Sequence, residues 1–250
     1  LGTGTSQGVP VIACDCEVCR SNNPKDNRLR SSIMIDIDSQ IFVIDTGPDF
    51  RQQMLRENVQ HVDAVIFTHH HKDHVAGMDD IRAFNHKWKK DVDVFCNSIT
   101  EEALHKEFSY IFSDIQYPGT PKINIRLFSN DKFNINNIDV LPIEGKHYLL
   151  PVFGFRIHNF VYLTDVSDIS EKEKEKMRHA DLIVLGALQR TSHISHFSLD
   201  QALALLEELK PKRALLTHIS HFMGLHDNVN SELPSYVQLA FDGQKVILKN

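Results

Sequence analysis

Short apolar runs rich in β-branched residues recur along the chain, and between them apolar positions return every three to four residues. The runs predict strands over residues 32–37, 41–45, 64–67, 92–96, 138–141, 161–164, 182–185, 213–217 and 245–248. The helical spacing predicts helices over 50–57, 79–89, 100–108, 170–179 and 199–209. The last is the clearest: Ser198 can cap it, and Leu199, Ala202, Leu203, Leu206 and Leu209 share one face. The early strands read as hairpins. Strand–helix alternation follows, and a similar succession returns after about residue 120. The pattern predicts an α/β (α+β) protein, one domain over residues 1–250, with two β-rich halves, two layers of sheet and helices outside.

Composition narrows the class. No apolar run approaches the ~18–20 residues of a membrane span, and no basic, apolar leader opens the chain, so neither a span nor a signal peptide is expected. The first residue is Leu1 rather than Met, which leaves room for residues before it. With 33 acidic and 27 basic side chains the net charge is −6, a poor match to a protein that holds nucleic acid by bulk electrostatics. Three of the four Cys, at positions 14, 16 and 19, are clustered. Four Cys are too few for a disulfide scaffold, and the cluster reads as a metal clip in a reducing compartment, so a cytoplasmic location is expected. Cys96, alone at a predicted strand end, reads as an ordinary buried thiol.

The excess of His falls where predicted strands end. An apolar run leads into His69-His70-His71-Lys72-Asp73-His74, and others precede Asp45-Thr46-Gly47, His147, Asp165 and His218. Loops leaving strand ends are rigidly held, so five such places suggest one shared site. In His69-x-His71 two imidazoles two residues apart in an extended segment face one side and can grip one ion, while His70 alternates to the other. Asp73 and His74, in the turn that follows, can face a second ion. The mixed N/O donors suit Zn, Mn or Fe. A His-rich surface loop is the bland alternative, and the downstream partners weigh against it.

Together these residues resemble the metallo-β-lactamase superfamily of metal-dependent hydrolases, over nearly the whole chain. The resemblance implies a four-layer αββα sandwich and a dinuclear active site. It implies His69, His71 and His147 as ligands of one ion, Asp73, His74 and His218 as ligands of the other, and Asp165 as the bridge. Asp45 is similar to the carboxylate that orients metal-binding His in that superfamily. Gly2-Thr-Gly4 through Gly8-Val-Pro10, then Cys14-x-Cys16-x-x-Cys19, and then Thr217-His218-Ile-Ser-His221 further resemble the phosphoribosyl cyclic phosphodiesterases. In that group the matching positions Cys14, Cys16, Cys19 and His221 hold a structural zinc. Three thiolates and one imidazole make a closed tetrahedral shell. The group's general acid falls at His196, with His193 a weaker rival.

The expected activity is hydrolysis of a small, cyclic phosphodiester. A hydroxide bridging two divalent ions, Mn or Zn, would attack phosphorus, Asp73 would hold it in line, and protonated His196 would assist the leaving oxygen. The glycine-rich turn 2–8 could bring backbone N–H groups to the phosphate. The expected partner is thus a small-molecule phosphodiester, with no membrane, no nucleic acid and a homodimer left open. A ribonuclease Z-like endonuclease is the first rival, although no tRNA-gripping arm or net positive charge is seen. Thioester or lactam hydrolysis on the same fold, and a non-catalytic metal-binding protein, are the others. Residues 86–135 match no motif of the resembled group and are expected to flank the site.

Overall fold

The first two β-branched runs meet at once, because Asp38 and Ser39 both take left-handed backbone (φ 49° and 62°) and close a tight hairpin. In this computed structural model, which describes residues 1–115 and 117–248, the chain forms two compact units. One comprises Leu1 with Ser31–Ser129, the other Gly2–Arg30 with the chain from Asn130 onward.

The first unit is built on a five-stranded sheet. Strands β1 (Ile33–Ile37) and β2 (Gln40–Ile44) are antiparallel. Then β3 (Ala64–Ile66), β4 (Val92–Cys96) and β5 (Ile123–Leu127) add in parallel, in the order β1-β2-β3-β4-β5. Every position of β3 is buried, as a strand inside a parallel array requires. Four helices belong here: α1 (Phe50–Arg56), α2 (Lys72–Val75), α3 (Arg82–Trp88) and α4 (Ser98–Glu107). Val43, Val65, Phe67 and Val94 pack with Phe50, Met54, Met78, Ile81 and Leu104 in one apolar core.

The second unit carries seven strands: β6 (Phe133–Ile135), β7 (Ile138–His147), β8 (Leu150–Ile157), β9 (Phe160–Leu163), β10 (Leu182–Gly186), β11 (Arg213–Thr217) and β12 (Val237–Leu239). They lie in simple sequence order, antiparallel from β6 to β9 and parallel from β9 to β12. Its helices are α5 (Glu171–Met177), α6 (Leu199–Leu209) and α7 (His226–Glu232). In α6, Ser198 accepts from the Gln201 N–H and the Gln201 side chain accepts from the Ser198 N–H, a full capping box. Leu199, Ala202, Leu205, Leu206 and Leu209 are its buried face. In α5, Glu171, Lys172 and Glu175 are exposed, while Glu173 and Met177 are buried.

Two expectations change. Residues 245–248 form no strand; Ile247 is 89 % exposed, and β-branched composition has no effect without a partner. The edge next to β11 is taken by β12, whose Val237 and Leu239 are buried while Gln238 is exposed. The run at 138–141 extends through Pro142 and Gly145 to His147, and its partner β8 went unpredicted. Glycine in these strands marks close approach rather than a turn. A Cβ on Gly145 would stand 2.6 Å from Val166 Cγ2, and one on Gly154 would stand 2.5 Å from the Tyr162 carbonyl oxygen.

A buried polar network ties the ends of the second unit together. Arg28 donates to Thr3 Oγ1 (2.9 Å), to the Ala240 carbonyl (2.6 Å) and to His226 Nδ1 (3.1 Å), and Asp242 accepts from the Thr3 and Leu29 N–H groups. Burial, and then the Arg28 charge, push the His226 imidazole from 6.5 down to about 4. Between those values the unfolded chain binds a proton that the folded chain refuses, so stability falls as the pH drops from about 6.5 through about 4. His226→Gln keeps an acceptor for Arg28 and removes the titration. Its melting temperature should fall less than that of the wild type over this range; parallel curves would refute the role.

Candidate metal centre

Three apolar strands run out into the same chemistry: a threonine followed by a candidate ligand, at Thr68-His69, Thr164-Asp165 and Thr217-His218. All six residues are buried. This repeat is visible in the sequence and would have singled out the threonines as well.

In the first unit the donors gather after β3. The His69 ring lies 4.6 Å from that of His71 and 4.3 Å from that of His74, and His74 Nε2 is 3.1 Å from Asp73 Oδ2. His70 is half-buried and joins no donor cluster among the described residues. Asp45, just past β2, is wholly buried and left-handed (φ 66°). Its carboxylate accepts from the Thr68 N–H (2.9 Å), the Thr68 hydroxyl (2.8 Å) and His74 Nδ1–H (2.7 Å). Burial pushes this carboxyl up, and His74 and Thr68 oppose it. With its Nδ1 proton so engaged, His74 keeps its lone pair on Nε2, the form a metal ligand requires.

In the second unit His147 ends β7, Asp165 follows β9, His218 follows β11, and His196 lies just before α6. Donor atoms of His147, Asp165 and His196 lie within 4.8 Å of one another. His218 Nε2 is 3.1 Å from Asp165 Oδ1, which also accepts from the Thr164 hydroxyl at 2.8 Å. His147 donates Nδ1–H to the Ser195 carbonyl (2.7 Å), which leaves Nε2 as its ligand atom. Asp165 and His218 are left-handed too (φ 53° and 58°). For residues that carry a Cβ this backbone is uncommon, and it turns each side chain sharply off its strand. The sequence gives no signal of it.

His196 is stacked on His218, with centroids 4.9 Å apart and Nδ1 4.0 Å from Asp165 Oδ2. Burial pushes its imidazole down to about 3, with Asp165 opposing. The rival His193 is exposed and accepts from the Ser195 N–H at 3.3 Å.

The cysteines converge as well. Sγ of Cys14, Cys16 and Cys19 lie 3.2, 3.4 and 3.4 Å from one atom, Nδ1 of His221. A ring nitrogen carries one proton or one lone pair and cannot satisfy three sulfurs by hydrogen bonding. Ligands placed about 2.0–2.3 Å from a tetrahedral zinc stand roughly 3.5 Å apart, so the donor set fits that ion. The Cys19 N–H brings the Cys16 thiol down to about 6, which favours the thiolate that binds metal. Cys96 is buried as expected, and burial pushes its thiol up to about 12.

The glycine-rich turn needs a correction. The N–H groups of Thr3, Gly4, Thr5 and Gly8 are bonded to Asp242, Leu29, Ile219 and Thr5 respectively. They hold the N-terminal loop beside the strand end that carries His218 and offer nothing to a phosphate.

Comparison with known proteins gives a consistent picture. A family model described as "Beta-lactamase superfamily domain" matches residues 40–219. A crystal structure described as a new diphosphatase from the PhnP family is 36 % identical, with TM-score 0.93 over 99 % of this chain and 96 % of that one. Zinc-bound PqqB from Methylobacterium extorquens shares the fold at TM-score 0.79 and 17 % identity, over 99 % of this chain and 98 % of that one. An octanoyltransferase of Porphyromonas gingivalis is 34 % identical over 99 % of this chain and 51 % of that protein, so the chain spans about half the length of this curated relative.

Proposed function

Because the chain belongs to the beta-lactamase superfamily, and to the PhnP family within it, we propose that it is a metal-dependent hydrolase of small phosphodiesters. The observation that carries the reading is the stacking of His196 on His218 with Asp165 beside both. It sets a proton carrier against two assigned metal ligands.

The ligand sets follow the sequence assignment: His69, His71 and His147 for one ion, Asp73, His74 and His218 for the other, Asp165 for both. Divalent ions there supply water ionised near neutral pH and positive charge against phosphoryl oxygens. Zn and Mn both suit such donors. Asp73 would hold the attacking oxygen in line by accepting a hydrogen bond from it. Asp45 and the Ser195 carbonyl hold the His74 and His147 tautomers. A phosphoryl anion beside His196 raises the proton affinity that burial has lowered. Nδ1 of His196 faces Asp165, so Nε2 is the atom that passes a proton to the leaving oxygen. Cys14, Cys16, Cys19 and His221 take a third, structural zinc and do no chemistry.

A phosphoanhydride is the second substrate class, favoured by the diphosphatase relative. The net charge of −6 favours either over a large RNA. The octanoyltransferase name belongs to a protein about twice as long, and that activity can reside in the part this chain does not match.

The test is a panel of five-membered cyclic phosphates, linear diesters, diphosphates, a thioester, a β-lactam and pre-tRNA, with bound metals quantified. Turnover of small phosphate esters or anhydrides that is lost in His196→Ala is expected. Exclusive turnover of the thioester, the lactam or the RNA would overturn the reading.

A further inference from the structure

The first unit holds a cavity of about 570 Å³ in the stretch that matches no motif. Arg82 and His86 stand one turn apart on α3 and line it together. Ala83, Tyr110, Tyr117, Gly119 and Thr120 line the rest. The volume is that of an ordinary small-molecule site, not of a single ion.

The lining is held in place. Asp79 accepts from the Tyr110 hydroxyl (2.5 Å) and pairs with Arg82 Nη1 (3.0 Å), fixing both side chains through one carboxylate. That contact uses one edge of the guanidinium, which has five N–H donors in all. Across the cavity, the Thr120 N–H and hydroxyl both donate to the Tyr117 carbonyl at 3.0 Å and close a tight turn. A Cβ on Gly119 would stand 3.2 Å from the Tyr117 ring, so the ring lies on its own turn. Tyr117 is nevertheless 79 % exposed, with apolar ring surface facing water.

We propose that this cavity binds the nucleoside end of a phosphate ester, the base against Tyr110 and Tyr117 and the anion on Arg82 and His86. Aromatic faces stack on any flat base, because every base presents a π-face. A guanidinium suits a phosphate through parallel hydrogen bonds. A bare sugar phosphate would use the cations and leave both tyrosines idle. The proposal rests on the hydrolase reading for the identity of the anion as phosphate, and it adds a binding site for nucleoside phosphates in the first unit.

The test is calorimetric titration of the metal-loaded protein with adenosine 5′-monophosphate and ribose 5-phosphate. Adenosine monophosphate should bind more tightly than ribose 5-phosphate. Arg82→Ala and Tyr117→Ala should each weaken it about tenfold or more, with unchanged melting temperatures. If Arg82→Ala melts early, Arg82→Gln repeats the measurement with a polar group beside Asp79. Equal affinity for the two ligands, no binding, or binding indifferent to both positions would overturn the proposal. Turnover of bis(p-nitrophenyl) phosphate is read in parallel. An active enzyme with no such binding removes the pocket alone, and binding without turnover removes the hydrolase reading alone.

Discussion

His71→Ala should leave a folded protein whose turnover of bis(p-nitrophenyl) phosphate falls by at least about a thousandfold. Fold retention follows from what His71 does locally. It precedes α2 in extended backbone (φ −62°, ψ 150°), and its carbonyl accepts from the His74 and Val75 N–H groups. Alanine keeps those backbone bonds, and the side chain is only half-buried. What is lost is an imidazole 4.6 Å from that of His69, on the side where the first ion is assigned. If the ion supplies about 4 kcal/mol of transition-state stabilisation, its loss corresponds to roughly 10³ in rate. Circular dichroism establishes the fold, and metal analysis should find fewer active-site ions. Near wild-type turnover would end the assignment. Asp45→Ala is a poorer test, because it strips the Thr68 N–H and His74 of a fully buried acceptor and threatens the fold itself.

The second large effect concerns stability. Cys16→Ser should remove one zinc per chain and lower the melting temperature by about 5–10 °C, while the active-site ions still bind. A zinc held there would join sulfurs near the start of the second unit to His221, about two hundred residues on. A link across so long a loop excludes many unfolded conformations and is worth about 2–4 kcal/mol, by analogy with a disulfide. For a protein of this size each kcal/mol moves the midpoint by about 2–4 °C. Serine is close in size and Cys16 is exposed, so a packing defect is not expected. Zinc content measured by mass spectrometry decides the matter. Unchanged stoichiometry, or loss of all metals together, would count against a separate structural ion.

These expectations rest on features that were legible to different degrees. Helix α6 is largely determined locally. Its cap and both ends can be read from Ser198 to Leu209, because 3.6-residue periodicity and capping are short-range physics, but its face was read with Leu203 where the fold buries Leu205. Strand β4 was equally plain. Strand β7 was read only over 138–141 and β8 not at all, since Pro142, Gly145, Pro151 and Gly154 look like breakers. They are tolerated because each strand is aligned by its neighbour over eight residue pairs. The last apolar run misled for the opposite reason, a good local pattern with no partner strand.

The candidate site divides in the same way. By itself the sequence determined the donor chemistry: which His, Asp and Cys recur at strand ends, and at what spacing. The spacing Cys14-x-Cys16-x-x-Cys19 pointed to a metal clip, and its imidazole partner, His221, came from the resemblance rather than from the spacing. Only the tertiary structure decided how those donors are presented. Asp45, Asp165 and His218 take left-handed backbone, Thr68 and the Ser195 carbonyl hold neighbouring groups in place, and burial lowers the proton affinity of His196. It also committed the N–H groups of Thr3, Gly4 and Thr5 in the glycine turn to Asp242, Leu29 and Ile219, and it opened a cavity beside Arg82. The reason is range. Ligand identity and periodicity are properties of a few adjacent residues, whereas backbone strain, desolvation and enclosed volume arise from contacts between segments far apart in the chain.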